Sequence, residues 1–490
     1  MDSISRVLPA KPYETLADYI ADGGGNGLTD TRLVETSVVL DELEASGLRG
    51  RGGAGFPTAT KWRTVLSFAS DVLRTAVVVN AAEGEPGTYK DRTILLANPY
   101  AVIEGALIAA AVVGANSITI ATKQRFVDQI ARLEGAIAEI RAAGWADDID
   151  IDIVKGPAEY LFGEETALLE VLDGRPPFPR LAPPWRRGFI EVVRSDADVT
   201  SGSGLSADVH MAGQDGVSEA PPVLVNNVET MANIPNIIAK GAAWFRSLGT
   251  EKSPGTILCT ITGDVRRATV VEVAMGTPLR EVIEQAAGGL RDGHTLMAVL
   301  NGVSNPIILP ADLDTPVSYE AMSAIGSGLG SGSFIIIDDS RDPVALAAGV
   351  SRFLGIESCG QCTPCKIDGL EINALLTKVA HDDGGEPAMV KIGRRLDTIT
   401  VGARCNIATQ HSIVVASIVD AFRDRFEAHL HHSEGSIEPM LIAEMDSIDG
   451  DAAVVDATFS EKQMDWTYGS EPTSRTPVDR LTDHRSHGTV

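Results

Sequence analysis

The 490-residue sequence predicts an α/β protein of several domains, and three observations lead to this prediction. Between residues 75 and 154, short β-branched runs alternate with helical runs, which is the βαβαβ pattern of a parallel sheet covered by helices. Hydrophobic residues make up 44% and charged residues 22% of the chain, as in ordinary globular proteins. At about 150 residues per domain, the length predicts roughly three domains.

The first 45 residues are predicted to be helical, with one helix over 29–46 that ends at Gly47. Residues 46–249 then form the α/β domain, with strands at 75–80, 117–122 and 148–154 and helices at 99–114 and 125–142. Residues 250–341 predict a compact α+β module, with strands at 256–262, 269–273, 297–300 and 333–337 and one helix at 278–286.

The remaining segments differ in composition. Residues 342–430 lose strand character and predict helices that carry four of the five cysteines. Within the α/β domain, residues 189–220 are rich in Gly, Ser and Asp and predict a surface insertion. Residues 431–490 form an acidic C-terminal segment, with nine acidic residues and one lysine between 431 and 470, and this predicts a solvated tail or an arm around a partner.

Charge and hydropathy exclude several classes of partner. The formal net charge of −26 argues against binding to nucleic acid or to an anionic membrane surface. The longest apolar stretch, 101–115, contains Glu104 and is too short to span a bilayer, so no direct membrane insertion is expected. The N-terminus lacks the pattern of a secretory signal. We therefore expect a cytoplasmic protein, or one held at the inner face of a membrane by its partners.

The cysteine spacing carries the strongest chemical signal. Cys359, Cys362 and Cys365 follow a CxxCxxC pattern, and Cys405 follows after 39 intervening residues. Four thiolates of this kind suit a 4Fe-4S cluster, whereas zinc sites more often combine two CxxC pairs. A structural zinc site is the main alternative. Cys259 lies in a strand-like run and is expected to be a small buried side chain.

A glycine-rich loop at 50–55 formally matches the dinucleotide-binding pattern, but the match is weak because an acidic helix, not a strand, precedes it. Without Cβ atoms the backbone N–H groups of Gly50, Gly52 and Gly53 can approach an anion, and Arg51 and Lys61 add positive charge. The alternative is a flexible turn between domains.

Three polar motifs accompany this loop. Glu83 and Glu85 follow the first strand, where ligands of parallel sheets bind, although a solvated acidic turn fits equally well. Glu164 and Glu165 open a helix, where acids often serve only the helix dipole. The amides of the pair Asn226 and Asn227 could bond a polar ring edge, and taken alone the sequence 225–230 predicts a turn.

In order, GLRGRGGAGFPTATKW (47–62), NAAEGEPGTYKDR (80–92), YLFGEETALL (160–169), VNNVET (225–230) and ESCGQCTPC (357–365) resemble the flavin-containing NADH-binding subunit of respiratory complex I. The same family serves NAD-linked formate dehydrogenases and hydrogenases. The resemblance spans residues 40 to 430. It implies a Rossmann-like flavin domain, a ubiquitin-like β-grasp domain of the soluble-ligand-binding type, and a helical bundle with one 4Fe-4S cluster. The implied chemistry is hydride transfer between NAD(H) and FMN.

The resemblance also assigns site residues. For FMN it implies Gly50, Arg51, Gly52, Gly53, Lys61, Asn80, Glu83, Tyr160, Gly163, Glu164, Asn226, Asn227 and Thr230. For NADH it implies Phe56 and Trp185 around the adenine, with Glu85 and Glu165 at the nicotinamide end. An anionic Glu165 would lower the flavin potential and repel the extra phosphate of NADPH, so a preference for NADH is expected.

In the family the partners are a thioredoxin-like 2Fe-2S subunit and a larger iron–sulfur or catalytic subunit. This chain departs from the family pattern at four positions, Thr64, Ala82, Phe162 and Ala182. These departures, the insertion and the acidic C-terminal segment favour a formate dehydrogenase over complex I. Electron flow from formate or hydrogen to NAD⁺ is a second possibility, and a flavin-free, zinc-binding scaffold is the alternative from another class.

Overall fold

The computed structural model describes residues 4–69, 74–188, 221–469 and 471–481. The predicted insertion at 189–220 lies outside the described residues. The chain begins with four helices, α1 (Leu16–Ala21), α2 (Asn26–Leu33), α3 (Thr36–Ser46) and α4 (Thr58–Ser67). The single helix predicted at 29–46 is therefore wrong, because the backbone is extended at Val34 and Glu35. Helix α3 ends as predicted at Gly47, whose φ of 69° suits glycine.

A four-stranded parallel sheet forms the centre of the first domain. Its strands are β1 (Ala76–Ala81), β2 (Ser117–Lys123), β3 (Asp150–Gly156) and β4 (Val223–Asn227), in the spatial order β3-β2-β1-β4. The accompanying helices are α5 (Lys90–Ala97), α6 (Pro99–Val113), α7 (Val127–Ala142), α8 (Glu165–Leu172), α9 (Val228–Lys240) and α10 (Ala242–Phe245). All three strand contacts are parallel, so the predicted α/β fold is confirmed.

The sequence 225–230 is not a turn. Val225 to Asn227 complete β4, and Val228 to Thr230 open α9, so the asparagine pair stands where a strand meets a helix. Helix α9 packs closely on the almost fully buried helix α6. A Cβ atom at Gly105 of α6 would overlap the carbonyl oxygen of Met231 in α9, and glycine therefore permits this contact.

The second domain contains a mixed four-stranded sheet. Its strands β5 (Thr256–Gly263), β6 (Thr269–Ala274), β7 (Leu296–Leu300) and β8 (Ser333–Asp338) lie in the order β6-β5-β8-β7. The helices are α11 (Leu279–Ala286) and α12 (Tyr319–Ala324). Central strands β5 and β8 run parallel, and each outer strand runs antiparallel to its neighbour. As expected, Cys259 is a fully buried core residue of this sheet.

The cysteine-bearing region is helical, as predicted. It comprises α13 (Pro343–Glu357), α14 (Thr363–Ala380), α15 (Glu386–Thr398), α16 (Ile407–Ala421) and α17 (Arg423–Leu430). These helices share an apolar core. Across the described ranges no single helix is long and apolar enough to cross a membrane. Helices α5 and α6 reach that length and apolar composition only when they are taken together, and they are bent by 96° where they meet.

The acidic C-terminal segment packs on the rest of the chain. We call residues 437–469 and 471–481 the C-terminal strap; it includes the antiparallel pair β9 (Met445–Asp449) and β10 (Ala452–Val455). Ile442, Ala443, Met445 and Phe459 are buried. The strap begins along α13, where the N–H of Met440 donates to the carbonyl of Ala345 over 2.9 Å. For its described part, the prediction of a solvated tail is therefore wrong.

Candidate functional site

The glycine-rich loop connects α3 to α4 beside the N-terminus of α9. The N–H of Gly50 closes the loop on the carbonyl of Phe56 at 2.8 Å, and the N–H of Arg51 donates to Thr230 Oγ1 at 2.9 Å. Gly53 has a φ of 121°, and a Cβ atom added there would find no atom within 4 Å. The loop therefore presents bare backbone to an open space, as the binding of a flat ring requires.

The side chain of Arg51 does not face this space. It is 1% exposed, and its guanidinium donates to the carbonyl of Thr256 at 2.9 Å and to that of Pro254 at 3.3 Å. The hydroxyl of Tyr319, also in the second domain, donates to the carbonyl of Gly50 at 2.7 Å. The expectation that the Arg51 charge serves an anion in the loop is thus wrong, because that charge fastens the loop to the second domain.

Three amides meet at the carboxyl edge of the parallel sheet. Asn80 on β1 is the register partner of Asn227 on β4, and its Nδ2 donates to the carbonyl of Gly163 at 2.8 Å. Asn226 Oδ1 accepts from Trp62 Nε1 at 2.9 Å. Asn227 caps α9 by accepting from the N–H of Glu229. The topology therefore brings Asn80 next to the pair Asn226 and Asn227, which lies far from it in the sequence.

Beneath these amides lies a buried cluster of charges that the sequence does not reveal. Lys90 Nζ lies 2.6 Å from Asp91 Oδ1 and 3.0 Å from Glu229 Oε2, and Asn227 Nδ2 donates to Asp91 Oδ2 at 2.6 Å. Lys90 and Asp91 belong to the motif at 80–92, but sequence gives no means of pairing them with Glu229. Pairing offsets the free-energy cost of burying these charges, and removal of one partner would leave another charge buried alone. The cluster therefore holds the junction of β4 and α9 in place.

The two acids after β1 have different surroundings. Glu83 accepts from Arg92 Nε at 2.8 Å and from the N–H of Asp91 at 2.9 Å, so its carboxylate stabilises its own loop. Burial raises the pKa of Glu83, with Arg92 opposing the change. Neither acid stands in a solvated turn, since Glu83 is buried and Glu85 is half-buried with its carboxylate hydrogen-bonded.

Glu85 reaches the second domain. Its carboxylate accepts from Tyr160 Oη at 2.6 Å, from the N–H of Val303 at 2.7 Å and from Ser304 Oγ. Burial raises the pKa of Glu85, while these hydrogen bonds act against the rise. A Cβ at Gly302 would overlap this carboxylate. Glu85 therefore joins the two domains, and it is half-buried, so part of the residue stays exposed.

The acids at the start of α8 also separate by role. Glu164 caps the helix, accepting from the N–H groups of Thr166 at 3.0 Å and Ala167 at 2.8 Å, and burial raises its pKa. Glu165 forms an ion pair with Lys61. Both partners of this pair keep part of their surface exposed, so a ligand can reach them.

The two aromatic residues expected around adenine differ in exposure. The Phe56 side chain, at the end of the glycine-rich loop, is 51% exposed. Trp185 is half-buried against the core of the first domain. An exposed ring of this size next to open space is an available stacking surface.

The four predicted ligands Cys359, Cys362, Cys365 and Cys405 line one cavity, together with Gln361 and Arg404. None of them forms a disulfide. Four thiols around one cavity match the ligand number of a 4Fe-4S cluster.

The same cavity borders the segment of the first domain that follows α8. Burial raises the pKa of Cys365 to about 11 and that of Cys405 to about 12, and the charge of Glu164 adds to the effect on Cys405. Pro179 also lines the cavity, and its carbonyl accepts from Gln361 Nε2 at 3.0 Å. Since metal ligation requires thiolates, cluster binding releases protons here.

Models of protein families match three parts of the chain. The Nuo51 FMN-binding domain matches residues 43–236, and the NADH-ubiquinone oxidoreductase-F iron-sulfur binding region matches residues 345–429. The SLBB domain matches residues 258–304. These matches confirm the predicted cofactors, FMN with NAD(H) and a 4Fe-4S cluster.

Several known proteins resemble most of the chain. The NADH-quinone oxidoreductase F subunit 2 of Rhizobium meliloti (strain 1021) is 35% identical, covering 85% of this chain and 94% of its own length. The NADH-quinone oxidoreductase F subunit of Rickettsia bellii (strain OSU 85-389) is 39% identical, covering 80% of this chain and 90% of its own length. The NADP-reducing hydrogenase subunit HndC of Solidesulfovibrio fructosivorans is 33% identical, covering 85% of this chain and 81% of its own length.

A solved structure agrees with these relatives. The NAD⁺-reducing [NiFe]-hydrogenase in its H2-reduced state contains a chain that superposes with a TM-score of 0.71 at 30% identity, covering 86% of this chain and 67% of that one. The chain belongs to the family of NADH-quinone oxidoreductase F subunits, FMN- and 4Fe-4S-binding components of multi-subunit NADH dehydrogenases and hydrogenases.

Proposed function

We propose that this chain is the diaphorase subunit of a larger complex, which transfers hydride between NAD(H) and FMN and passes single electrons through its 4Fe-4S cluster. The observation that carries the proposal is the position of residues 160–165, which we call the dividing segment. The carbonyl of Gly163 accepts from Asn80 on the proposed flavin side, and the N–H of Tyr160 donates at 3.0 Å to Glu357, which stands two residues before Cys359 on the cluster side. One short segment thus links the proposed flavin site to the loop that carries Cys359.

The proposed flavin site consists of the open loop and the sheet edge. The backbone of Gly50, Arg51, Gly52 and Gly53 would face the ring, while Lys61, Asn80, Tyr160, Gly163, Glu164, Asn226, Asn227 and Thr230 would surround it. Glu83 acts by holding the loop after β1. Bound FMN supplies a two-electron acceptor for hydride that can release electrons one at a time.

NADH would stack over this ring, with adenine held by Phe56 and Trp185. Hydride transfer needs no protein nucleophile, so this chain contributes binding geometry and electrostatics. Glu85 and Glu165 would lie near the nicotinamide nucleotide, where the negative charge of Glu165 disfavours the additional phosphate of NADPH. Lys61 offsets part of that charge, and the expected preference for NADH is correspondingly moderate.

The electrons must leave through another subunit, since the sequence provides four cluster ligands and one further cysteine, the buried Cys259. We propose a thioredoxin-like 2Fe-2S subunit and a larger iron–sulfur or catalytic subunit as partners. A complex-I-like assembly and an NAD-dependent formate dehydrogenase both fit. The assembly would lie in the cytoplasm or at the inner face of a membrane through those partners.

Cofactor analysis of the complex purified from its natural host tests the proposal. We expect one FMN and four irons for this chain, bleaching of the flavin absorbance by NADH, and an electron paramagnetic resonance signal from the reduced cluster. Zinc without flavin would instead support the scaffold alternative and refute the proposal. Reduction of the flavin by added formate or hydrogen would identify the partner enzyme.

A further inference from the structure

Glu357 joins three parts of the molecule through one buried carboxylate. It is the last residue of α13 and stands two positions before Cys359. Its Oε1 lies 2.6 Å from Lys462 Nζ of the C-terminal strap, and its Oε2 accepts from the N–H of Tyr160 at 3.0 Å. The side chains of Glu357 and Lys462 are each 3% exposed. A buried pair with such contacts fixes positions closely, because neither charge can move into water.

Tyr160 extends this connection towards the other cysteine. Its hydroxyl donates to Glu85, and Gln410 Nε2 donates to the same hydroxyl at 3.3 Å. Gln410 lies in the first turns of α16, five residues after Cys405, and also contacts Ser304 of the second domain at 3.3 Å. The dividing segment is therefore tied both to the loop of Cys359 and to the helix that follows Cys405.

The strap has independent anchors at each of its ends. Near its start, Glu444 Oε2 lies 2.6 Å from Lys123 Nζ at the carboxyl end of β2. Near its end, Trp466 Nε1 donates to the carbonyl of Ile356 at 2.9 Å. The N–H of Val478 donates to the carbonyl of Cys359 at 3.2 Å. The strap thus spans the edge of the parallel sheet and the cysteine loop, and it lies beyond residue 429, where the matched iron–sulfur family model ends.

We propose that Lys462 and Glu357 are positioning residues that set the separation between flavin and 4Fe-4S cluster, so that this chain uses its own C-terminal strap to align its electron path. The inference rests on the proposed function. One hydride brings two electrons and a proton to FMN; the electrons then leave singly for the cluster, each passing to the partner before the next arrives, and the proton goes to solvent. Only the electron step between the cofactors depends on the pair.

Lys462→Met in the full chain, purified with its native partners, tests this assignment. We expect NADH to bleach the flavin within about twofold of the wild-type rate, while reduction of the cluster, followed by rapid-freeze electron paramagnetic resonance, slows by about tenfold or more. Iron content stays unchanged. Hydrogen exchange at the Tyr160 amide, measured without NADH, becomes faster by a similar factor, because Glu357 loses the partner that holds it.

Three further variants make the result specific. Lys462→Arg is expected to keep the wild-type rate of cluster reduction. The double variant Lys462→Met with Glu357→Gln is expected to recover most of that rate, because the amide oxygen of Gln still accepts from the N–H of Tyr160 and no unpaired charge is buried. Asp446→Asn removes an exposed strap contact with Arg125, 3.2 Å away, and is the control that leaves both rates unchanged.

Wild-type cluster reduction in Lys462→Met would overturn the inference. So would loss of iron in both Lys462→Met and the double variant, because it would make Lys462 a general stabiliser of the fold. A wild-type complex without FMN and iron would refute the proposed function instead, so the two failures are distinguishable.

Discussion

Substitution of Gly53 by alanine tests the proposed flavin site where the structure makes the most specific statement. The added Cβ meets no protein atom within 4 Å, so it cannot disturb packing in the chain itself. It extends into the open space where the ring is proposed to stack. Loss of flavin affinity would therefore report directly on the occupant of that space.

Two effects contribute to the expected magnitude. A φ of 121° is unfavourable for alanine, which costs about 1–3 kcal/mol of folding free energy. Overpacking of a well-fitted contact costs about 1–3 kcal/mol more, and this second effect applies only when the ring is bound. It corresponds to a rise in the Kd for FMN of about 5- to 140-fold.

The assay is fluorescence titration of the flavin-free complex with FMN, alongside chemical unfolding. Gly435→Ala is the matched control, because Gly435 also has a positive φ of 87° and an added Cβ there would meet no atom within 4 Å, but it lies far from the loop in sequence. We expect both variants to lose stability and only Gly53→Ala to lose FMN affinity. Equal FMN affinity in the two variants would refute the assignment of the loop.

The other predictions concern the cluster, nucleotide choice and pH. Cys405→Ala should lose cluster iron while NADH still bleaches the flavin, with Cys259→Ala as an iron-retaining control; intact iron in Cys405→Ala would contradict the ligand assignment. Glu165→Gln leaves Lys61 unpaired, so we expect a higher flavin potential and roughly tenfold weaker discrimination against NADPH, and unchanged values for both would argue against the electrostatic role. Burial lowers the pKa of His411 to about 3, from an ordinary 6.5, so its contribution to stability is present above pH 6.5 and is lost towards pH 3, at up to about 1.4 kcal/mol per pH unit. Urea unfolding of His411→Gln should show a shallower pH dependence between pH 4 and 6.5, and an identical slope would contradict the prediction.

The features that periodicity and spacing encode were predictable. The βαβαβ pattern predicted the parallel sheet because β-branched runs such as 76–79 form buried strands. The cysteine spacing predicted that the four thiols come together, and the structure places them around one cavity. Helix α3 before the glycine-rich loop was also apparent, and it correctly excluded a standard Rossmann phosphate loop.

The fates of individual charges were not predictable. Arg51 looked like an anion ligand because its neighbours are glycines, but its partners are carbonyls about 200 residues away. Acidic composition predicted a solvated C-terminal segment, yet Glu444 finds Lys123 and Arg125 across the fold. In both cases the partner is distant in the sequence, so only the tertiary structure determines it, and composition carries no information on such pairings.

The attachment of the glycine-rich loop through Arg51 and Tyr319 limits how this protein can be divided. The loop of the proposed flavin site is held in place by two carbonyls and one hydroxyl of the neighbouring domain. A fragment ending near residue 249 would lack the carbonyls of Pro254 and Thr256 and the hydroxyl of Tyr319, so the loop would lose its contacts with the second domain. Grafting this diaphorase onto a new redox partner therefore requires transplanting both domains as one unit.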